Sequence, residues 1–242
     1  MAQPNAVSCR VLWSPVVDRA RVRALMSEDE RARYGRLAEP EDRARFATAR
    51  ALVRSALGRA TGVSPGAVVF SRRCGHCGGP HGKPRVPGAA ARFSLSHSGG
   101  RVVLAVTEHA EPGVDVERVT AREVDRLAPR VLSARELEDF RRIRPEDRTA
   151  AYHVYWTRKE AVLKAVGRGL SVPLRGLTLA APARPAALLS WDGAPGDGGT
   201  GPPAVAMADL DPGPGYAAAL AVEAAGRIEL AEWTLDDPLD VP

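Results

Sequence analysis

Apolar positions along the chain change period more than once, and each change marks an element. Val7 to Trp13 reads as an opening strand. Ser27, followed three residues later by Glu30, resembles a capping box and predicts the start of a short helix. From Glu41 to Thr61 the pattern becomes helical, with Phe46, Leu52, Val53 and Leu57 on or near one stripe and Gly62 as the stop. Val68–Ser71, Arg92–Ser96 and Arg101–Thr107 then read as strands, the last two joined by a tight Ser98-Gly99-Gly100 turn.

After Pro112 the order begins again with a strand, Gly113–Glu117. Helical patterns follow at Ser133–Arg142 and Pro145–Val166, and several short strands lie between Leu177 and Leu235. Ala180–Ala204, rich in Pro, Gly and Ala, reads as a loop or a ragged strand connection. The expectation is an α+β fold in two halves of similar content, residues 1–110 and 111–242, although no residue-level repeat is visible to prove a duplication.

At 242 residues the chain is long enough for one large core or two compact ones. No apolar run approaches the ~20 residues of a membrane-spanning helix, and the N-terminus lacks the basic-then-apolar order of a signal peptide, so a cytoplasmic protein without a membrane partner is expected. Charge is uneven: residues 1–110 carry +10 and residues 171–242 carry −7. A basic first half could focus a field on a polyanion, which keeps a nucleic-acid-binding module open as an alternative. That reading leaves the acidic positions below unexplained, and aromatics are scarce in the basic stretch.

Of 34 basic side chains only Lys83, Lys159 and Lys164 are lysine. A chain that otherwise uses arginine keeps lysine where a compact point charge is needed. Asp115 and Glu117, two apart in a strand, leave it on one face and can offer oxygens to one hard cation; alone, such a pair is as readily a solvated strand end. Trp156, Glu160 and Lys164 recur every four residues and align along one helical stripe, an arrangement also met in ordinary Glu–Lys surface pairs. In Phe93-Ser94-Leu95-Ser96-His97-Ser98 the serines share one strand face and His97 takes the other, at a strand end where it could donate to a phosphate. Cys74-Gly75-His76-Cys77 with His81 is half of a zinc site lacking a second knuckle, so a glycine-rich loop with two reduced thiols is expected.

The order of these segments carries more than any one of them. Arg45-Phe46-Ala47-Thr48-Ala49-Arg50, Gly82-Lys83-Pro84, the Ser96-His97-Ser98 strand end, Gly113-Val114-Asp115-Val116-Glu117 and Trp156-Thr157-Arg158-Lys159-Glu160-Ala161-Val162-Leu163-Lys164 together resemble the 4'-phosphopantetheinyl transferases of the monomeric surfactin-synthetase type, over roughly residues 20–180. The resemblance implies two pseudo-symmetric α+β halves with coenzyme A in the cleft between them. It implies transfer of phosphopantetheine from coenzyme A to a serine of an acyl or peptidyl carrier protein, by a monomer that needs Mg2+. Asp115, Glu117 and Glu160 would hold the metal, with Glu160 also a candidate base, and Lys164 would meet the diphosphate. Ser96 and His97 would serve the 3'-phosphate, and Lys83 the adenine or phosphate end. Glu136 matches a further acidic position that supports the site. Where the family type has lysines in the first helix this chain has Glu30 and Arg33, so the phosphate role passes to Arg45 and Arg50.

Overall fold

The computed structural model describes residues 6–73, 78–79, 82–121, 123–168, 172–192 and 203–242. Cys74, His76, Cys77 and His81, the half zinc motif, lie outside the described residues. The elements run β1 (Ala6–Pro15), α1 (Ala20–Ala24), α2 (Glu28–Arg36), α3 (Pro40–Thr61), β2 (Ala91–Ser98), β3 (Arg101–Glu108), β4 (Glu111–Arg118), α4 (Val124–Val131), α5 (Ala134–Arg142), α6 (Pro145–Ala165), β5 (Leu177–Leu179), β6 (Leu188–Trp191), β7 (Val205–Leu210), β8 (Tyr216–Glu223) and β9 (Arg227–Thr234). This is the expected α+β mixture.

Two compact units divide the chain. The first comprises Ser8–His109 and Leu230–Pro242; the second comprises Ala110–Glu229 with Ala6 and Val7. The last residues therefore belong with the first unit, and not with 111–242 as expected. Their anchor is chemical as well as apolar: Leu235 joins the first core, and buried Asp237 accepts from Arg19 at 3.2 Å and from Arg21 at 2.5 Å.

In the first unit the sheet order is β2-β3-β1-β9. Helix α3 lays Leu52, Val53 and Leu57 onto it against Leu12, Phe93, Leu104 and Val106. The β2–β3 hairpin turns at Gly99, whose φ of 53° lies in the left-handed region that glycine enters without steric penalty. Val68–Ser71 is not a strand. It follows a 3-10 turn at Pro65–Ala67 and makes one bridge, Ser71 to Arg85. The physical reason is Arg54, 3% exposed, whose guanidinium takes the carbonyls of Pro65, Gly66 and Val68 and so replaces a neighbouring strand as their donor.

In the second unit β4 and β7 flank β8 antiparallel, and α6 packs across β4 and β8. The approach is close because the facing positions are small: Gly113 pairs with Ala221 and Asp115 with Ala219, and Ala219 and Ala221 share a core with Ala161, Val162 and Ala165 of α6. A second cluster joins Val124, Ala128, Val131, Phe140, Tyr152 and Tyr155 under α4 and α5. The sequence reading missed α4, which carries Pro129 in its interior.

Both units run strand, short helix, short capped helix, long helix, and they do so with matching residues. Helix α2 opens with the capping box Ser27/Glu30 and α5 with the capping box Ser133/Glu136. The long helices open with the same tetrapeptide, Pro40-Glu41-Asp42-Arg43 and Pro145-Glu146-Asp147-Arg148, with the N1 proline and the acidic first turn that favour a helix start. At the same spacing Arg54 answers Lys159, and Gly62 (φ 72°) answers Gly167 (φ 68°). Each long-helix cation is buried against the capping glutamate of the helix before it: Arg54 Nε to Glu30 at 2.9 Å, Lys159 Nζ to Glu136 at 2.6 Å. The repeat that sequence inspection did not reveal is thus present in a few structural residues.

Candidate functional site

Within Ala151–Ala165 every residue of α6 is buried except Val154, Trp156, Glu160 and Lys164. The stripe drawn from sequence is therefore the open line of a helix enclosed on its other sides. Arg158 and Lys159 explain how so polar a segment stays buried. Arg158, 0% exposed, forks onto Asp209 of β7 at 2.8 and 2.7 Å and donates to the carbonyls of Ala180, Ala181 and Arg184. Lys159 donates to the carbonyls of Leu174 (2.9 Å) and Leu177 (2.5 Å) and pairs with Glu136. Three acceptors around one ammonium explain why lysine stands here in an arginine-using chain.

Asp115 lies in β4 on the face that pairs with Ala219, and it is buried; Glu117, two residues on, is half-buried at the strand end. Lys164 donates to Asp115 Oδ1 at 2.7 Å and to the Val114 carbonyl at 3.0 Å. Glu160, one turn earlier on α6, has Oε1 buried without a hydrogen-bond partner. Its carboxyl is pushed above the ordinary range chiefly by burial and then by the Asp115 charge; Lys164 opposes this and Glu117 adds to it. The structure thus brings Asp115 and Lys164 into contact and puts Glu160 and Glu117 within their electrostatic field. Among the described residues no group of three or more His, Cys, Asp or Glu side chains is arranged to hold a metal ion.

Glu136 stands apart from this centre. It is 1% exposed, accepts from the backbone N–H of Ser133 at 2.7 Å and of Leu179 at 2.7 Å, and its charge partner is Lys159. Its role is to tie helix α5, strand β5 and helix α6 together.

A raised carboxyl costs folding stability once it must ionise. The folded state holds the Glu160 proton more tightly than the unfolded chain, whose ordinary value is 4.5, so stability is lost as pH rises from there through the folded value. In metal-free buffer Glu160→Gln should therefore melt several degrees above the parent at neutral pH, and the gain should vanish near pH 4. Thermal scans across pH check this; an unchanged melting temperature at pH 7 would contradict the buried, crowded carboxylate.

The first unit holds the other expected residues. His97 is exposed and Ser96 is buried at the end of β2, and Lys83 is half-buried in the preceding loop. Arg45 donates to the Gly99 carbonyl in the adjoining turn at 3.3 Å but is also held by Asp42 at 2.5 Å. Arg50 is more telling. Burial, and then the neighbouring charges of Arg72, Arg33 and Arg54, pull its guanidinium down to about 10 against the opposing pull of Glu30, and its Nε is buried with no partner. Arg50 and Arg54 thus share the carboxylate of Glu30, at 3.8 and 2.9 Å, which also caps α2, while Arg33 and Arg72 add their charge around Arg50. Sequence reasoning named Arg50 but missed Arg54 and Arg72, which no local pattern marks. Elsewhere in the basic stretch Arg23 pairs with Asp18, and Arg19 and Arg21 share Asp237.

These features define a class: a duplicated α+β protein with an acidic, lysine-capped centre on one unit and a crowded arginine group on the other. Residues 111–198 match the sequence model of the 4'-phosphopantetheinyl transferase superfamily. Curated relatives include the 4'-phosphopantetheinyl transferase HetI of Nostoc sp., 37% identical over 61% of this chain and 62% of the relative. A 4'-phosphopantetheinyl transferase of Bacillus subtilis is 31% identical over 64% of this chain and 66% of the relative. The 4'-phosphopantetheinyl transferase Sfp of Bacillus subtilis strain 168 is 29% identical over the same shares. The chain thus spans a little under two thirds of the length of the relatives it matches. Over these residues it is similar to the 4'-phosphopantetheinyl transferases.

No helix among the described residues is long and apolar enough to cross a membrane.

Proposed function

We propose that the chain transfers the 4'-phosphopantetheine group of coenzyme A to a serine hydroxyl of an apo acyl or peptidyl carrier protein, acting as a monomer in the cytoplasm. The observation that carries this reading is the Asp115–Lys164 contact beside Glu160, whose carboxyl is raised and has an unpaired buried oxygen. The hard oxygen donors of Asp115, Glu117 and Glu160 suit Mg2+, and the buried Glu160 Oε1 has no other ligand to satisfy it. When bound there, Mg2+ would neutralise charge on the coenzyme A diphosphate.

The remaining roles fall to side chains. Glu160 is suited to take the proton of the carrier serine, because burial and then the Asp115 charge raise its basicity above that of an ordinary carboxylate. The serine Oγ then forms its bond to the pantetheine-side phosphorus as the bond from that phosphorus to the bridging oxygen breaks. The electron pair leaves with adenosine 3',5'-bisphosphate, and the Lys164 ammonium meets the charge that develops there. Arg50, aided by Arg33, Arg54 and Arg72, is suited to a nucleotide phosphate, with Arg45, Lys83, Ser96 and His97 as further contacts from the same unit.

The test is to incubate the protein with apo-carrier, coenzyme A and Mg2+ and weigh the carrier. A gain of one phosphopantetheine per carrier is expected. An unchanged carrier mass with several carrier types would overturn the reading.

A further inference from the structure

We infer that the buried Glu136–Lys159 pair is a positioning device for Glu160, fixing the axial register at which helix α6 presents Glu160 and Lys164 to strand β4. The inference rests on the transfer function proposed above and extends it to two residues that touch no reactant. Lys159 immediately precedes Glu160 and is 0% exposed. Its ammonium binds three acceptors from three segments: Leu174 in the 3-10 turn Leu174–Gly176, Leu177 at the start of β5, and Glu136 of α5. Glu136 then binds the backbone N–H of Leu179 in β5 and of Ser133 at the α5 N-cap. Three segments, the 3-10 turn, β5 and α5, are thus pinned at one point on α6, one residue from the candidate base.

Arg158, on the adjoining position, anchors α6 to Asp209 of β7 and to the carbonyls of Ala180, Ala181 and Arg184, but nothing in that cluster comes from α5, and the packing of α6 on the sheet lacks direction. Against β4 and β8 it packs small apolar residues, Ala161, Val162 and Ala165 on Ala219 and Ala221. Such a surface is close-fitting but non-directional, and it tolerates a slide or a small rotation far better than a charge-assisted cluster does. One residue of helical register is a 1.5 Å rise and about a 100° turn, and a misplacement of about 1 Å can cost roughly 100-fold in rate. The same clip occurs in the first unit as Glu30–Arg54. A framework element of the duplicated fold has thus been set directly under the reacting carboxylate in the second unit.

Removing one partner strands a buried charge and mixes a folding defect with any positional one. The test therefore neutralises both at once, in Glu136→Gln combined with Lys159→Met. The full chain is assayed for carrier modification and, by electron paramagnetic resonance, for binding of Mn2+ alone. The double variant should melt within several degrees of the parent, keep its KM for coenzyme A within about threefold, lose about 100-fold in kcat and bind Mn2+ about tenfold more weakly. Parental kcat and Mn2+ affinity in a folded double variant would make the pair a stability element only and overturn the inference. Should the double variant not fold, Glu136→Asp keeps the charge and withdraws the reach by one methylene. A kcat loss at near-parental melting temperature then supports positioning, and an unchanged kcat refutes it. A parent that modifies no carrier removes the functional reading and this inference with it.

Discussion

Replacing Gly113 by alanine should unfold the second unit. A Cβ built on Gly113 would lie 1.9 Å from the Ala161 carbonyl oxygen, 2.3 Å from the Ala165 nitrogen and 3.0 Å from the Ala161 carbonyl carbon. All three are backbone atoms of α6, so no side-chain rotation relieves the clash. The helix would have to lift from β4 as a body, opening the core it shares with Ala219 and Ala221 and freeing Lys164 from Asp115. Backbone overlap of this kind belongs with the large destabilisations, about 4 kcal/mol or more. Urea unfolding followed by circular dichroism should show either no folded protein or a midpoint shifted far down. A variant with parental stability would mean that α6 does not pack on β4 at this position. Gly167→Ala serves as a comparison: its φ of 68° implies some strain, but nothing lies within 4 Å of its Cβ, so its cost should be a small fraction of that at Gly113.

Gly113 also shows what sequence could and could not reveal. The strand Gly113–Glu117 and the helix from Pro145 were legible because their patterns are local: alternation, an N1 proline, an acidic first turn and a glycine stop. The two capping boxes were equally local. That Gly113 is needed for helix approach was invisible, because the atoms that forbid a side chain there lie some fifty residues later in the chain. The same holds for Val68–Ser71, where the apolar pattern read as a strand and only the fold shows Arg54 supplying the hydrogen bonds a strand neighbour would have made.

The candidate site was legible in part for a similar reason. Asp115 with Glu117, and Trp156 with Glu160 and Lys164, share a face within one element, and periodicity displays that directly. Which lysine does what was not visible. Lys159 and Lys164 sit in one helix five residues apart, yet one is sealed against Glu136 and the other meets Asp115 at the open stripe. Their separation comes from the helical turn combined with neighbours contributed by β4 and α5. The duplication was hidden because it survives only at caps, helix starts and buried cations, while the packing residues between them have diverged, as with Ala47 against Tyr152 or Gly58 against Leu163.

Asp115→Asn should abolish transfer while leaving the fold intact, with kcat/KM lower by about a thousand-fold or more. Asparagine keeps the volume and one oxygen acceptor of a buried side chain that packs opposite Ala219, so the sheet has no steric reason to move. Removing one member of a fully buried ion pair ordinarily destabilises strongly, but Lys164 is 28% exposed and can turn its ammonium to water. The change also relieves Glu160 of the like charge that acts on it most strongly, so the melting temperature should hold or rise. Activity has no such compensation, because the amide carries no charge with which to anchor a hard cation or to hold the ammonium 2.7 Å away. Lys164→Arg separates the two losses. It keeps the positive charge but spreads it over a planar fork that cannot reproduce the paired contacts to Val114 and Asp115, so kcat should fall by roughly 10- to 100-fold with a smaller change in KM for coenzyme A. Initial rates of carrier modification, measured beside thermal melts of both variants, check the pair. An Asp115→Asn protein that is folded and fully active would show that the carboxylate is only a structural partner of Lys164, and the transfer reading of this centre would fall.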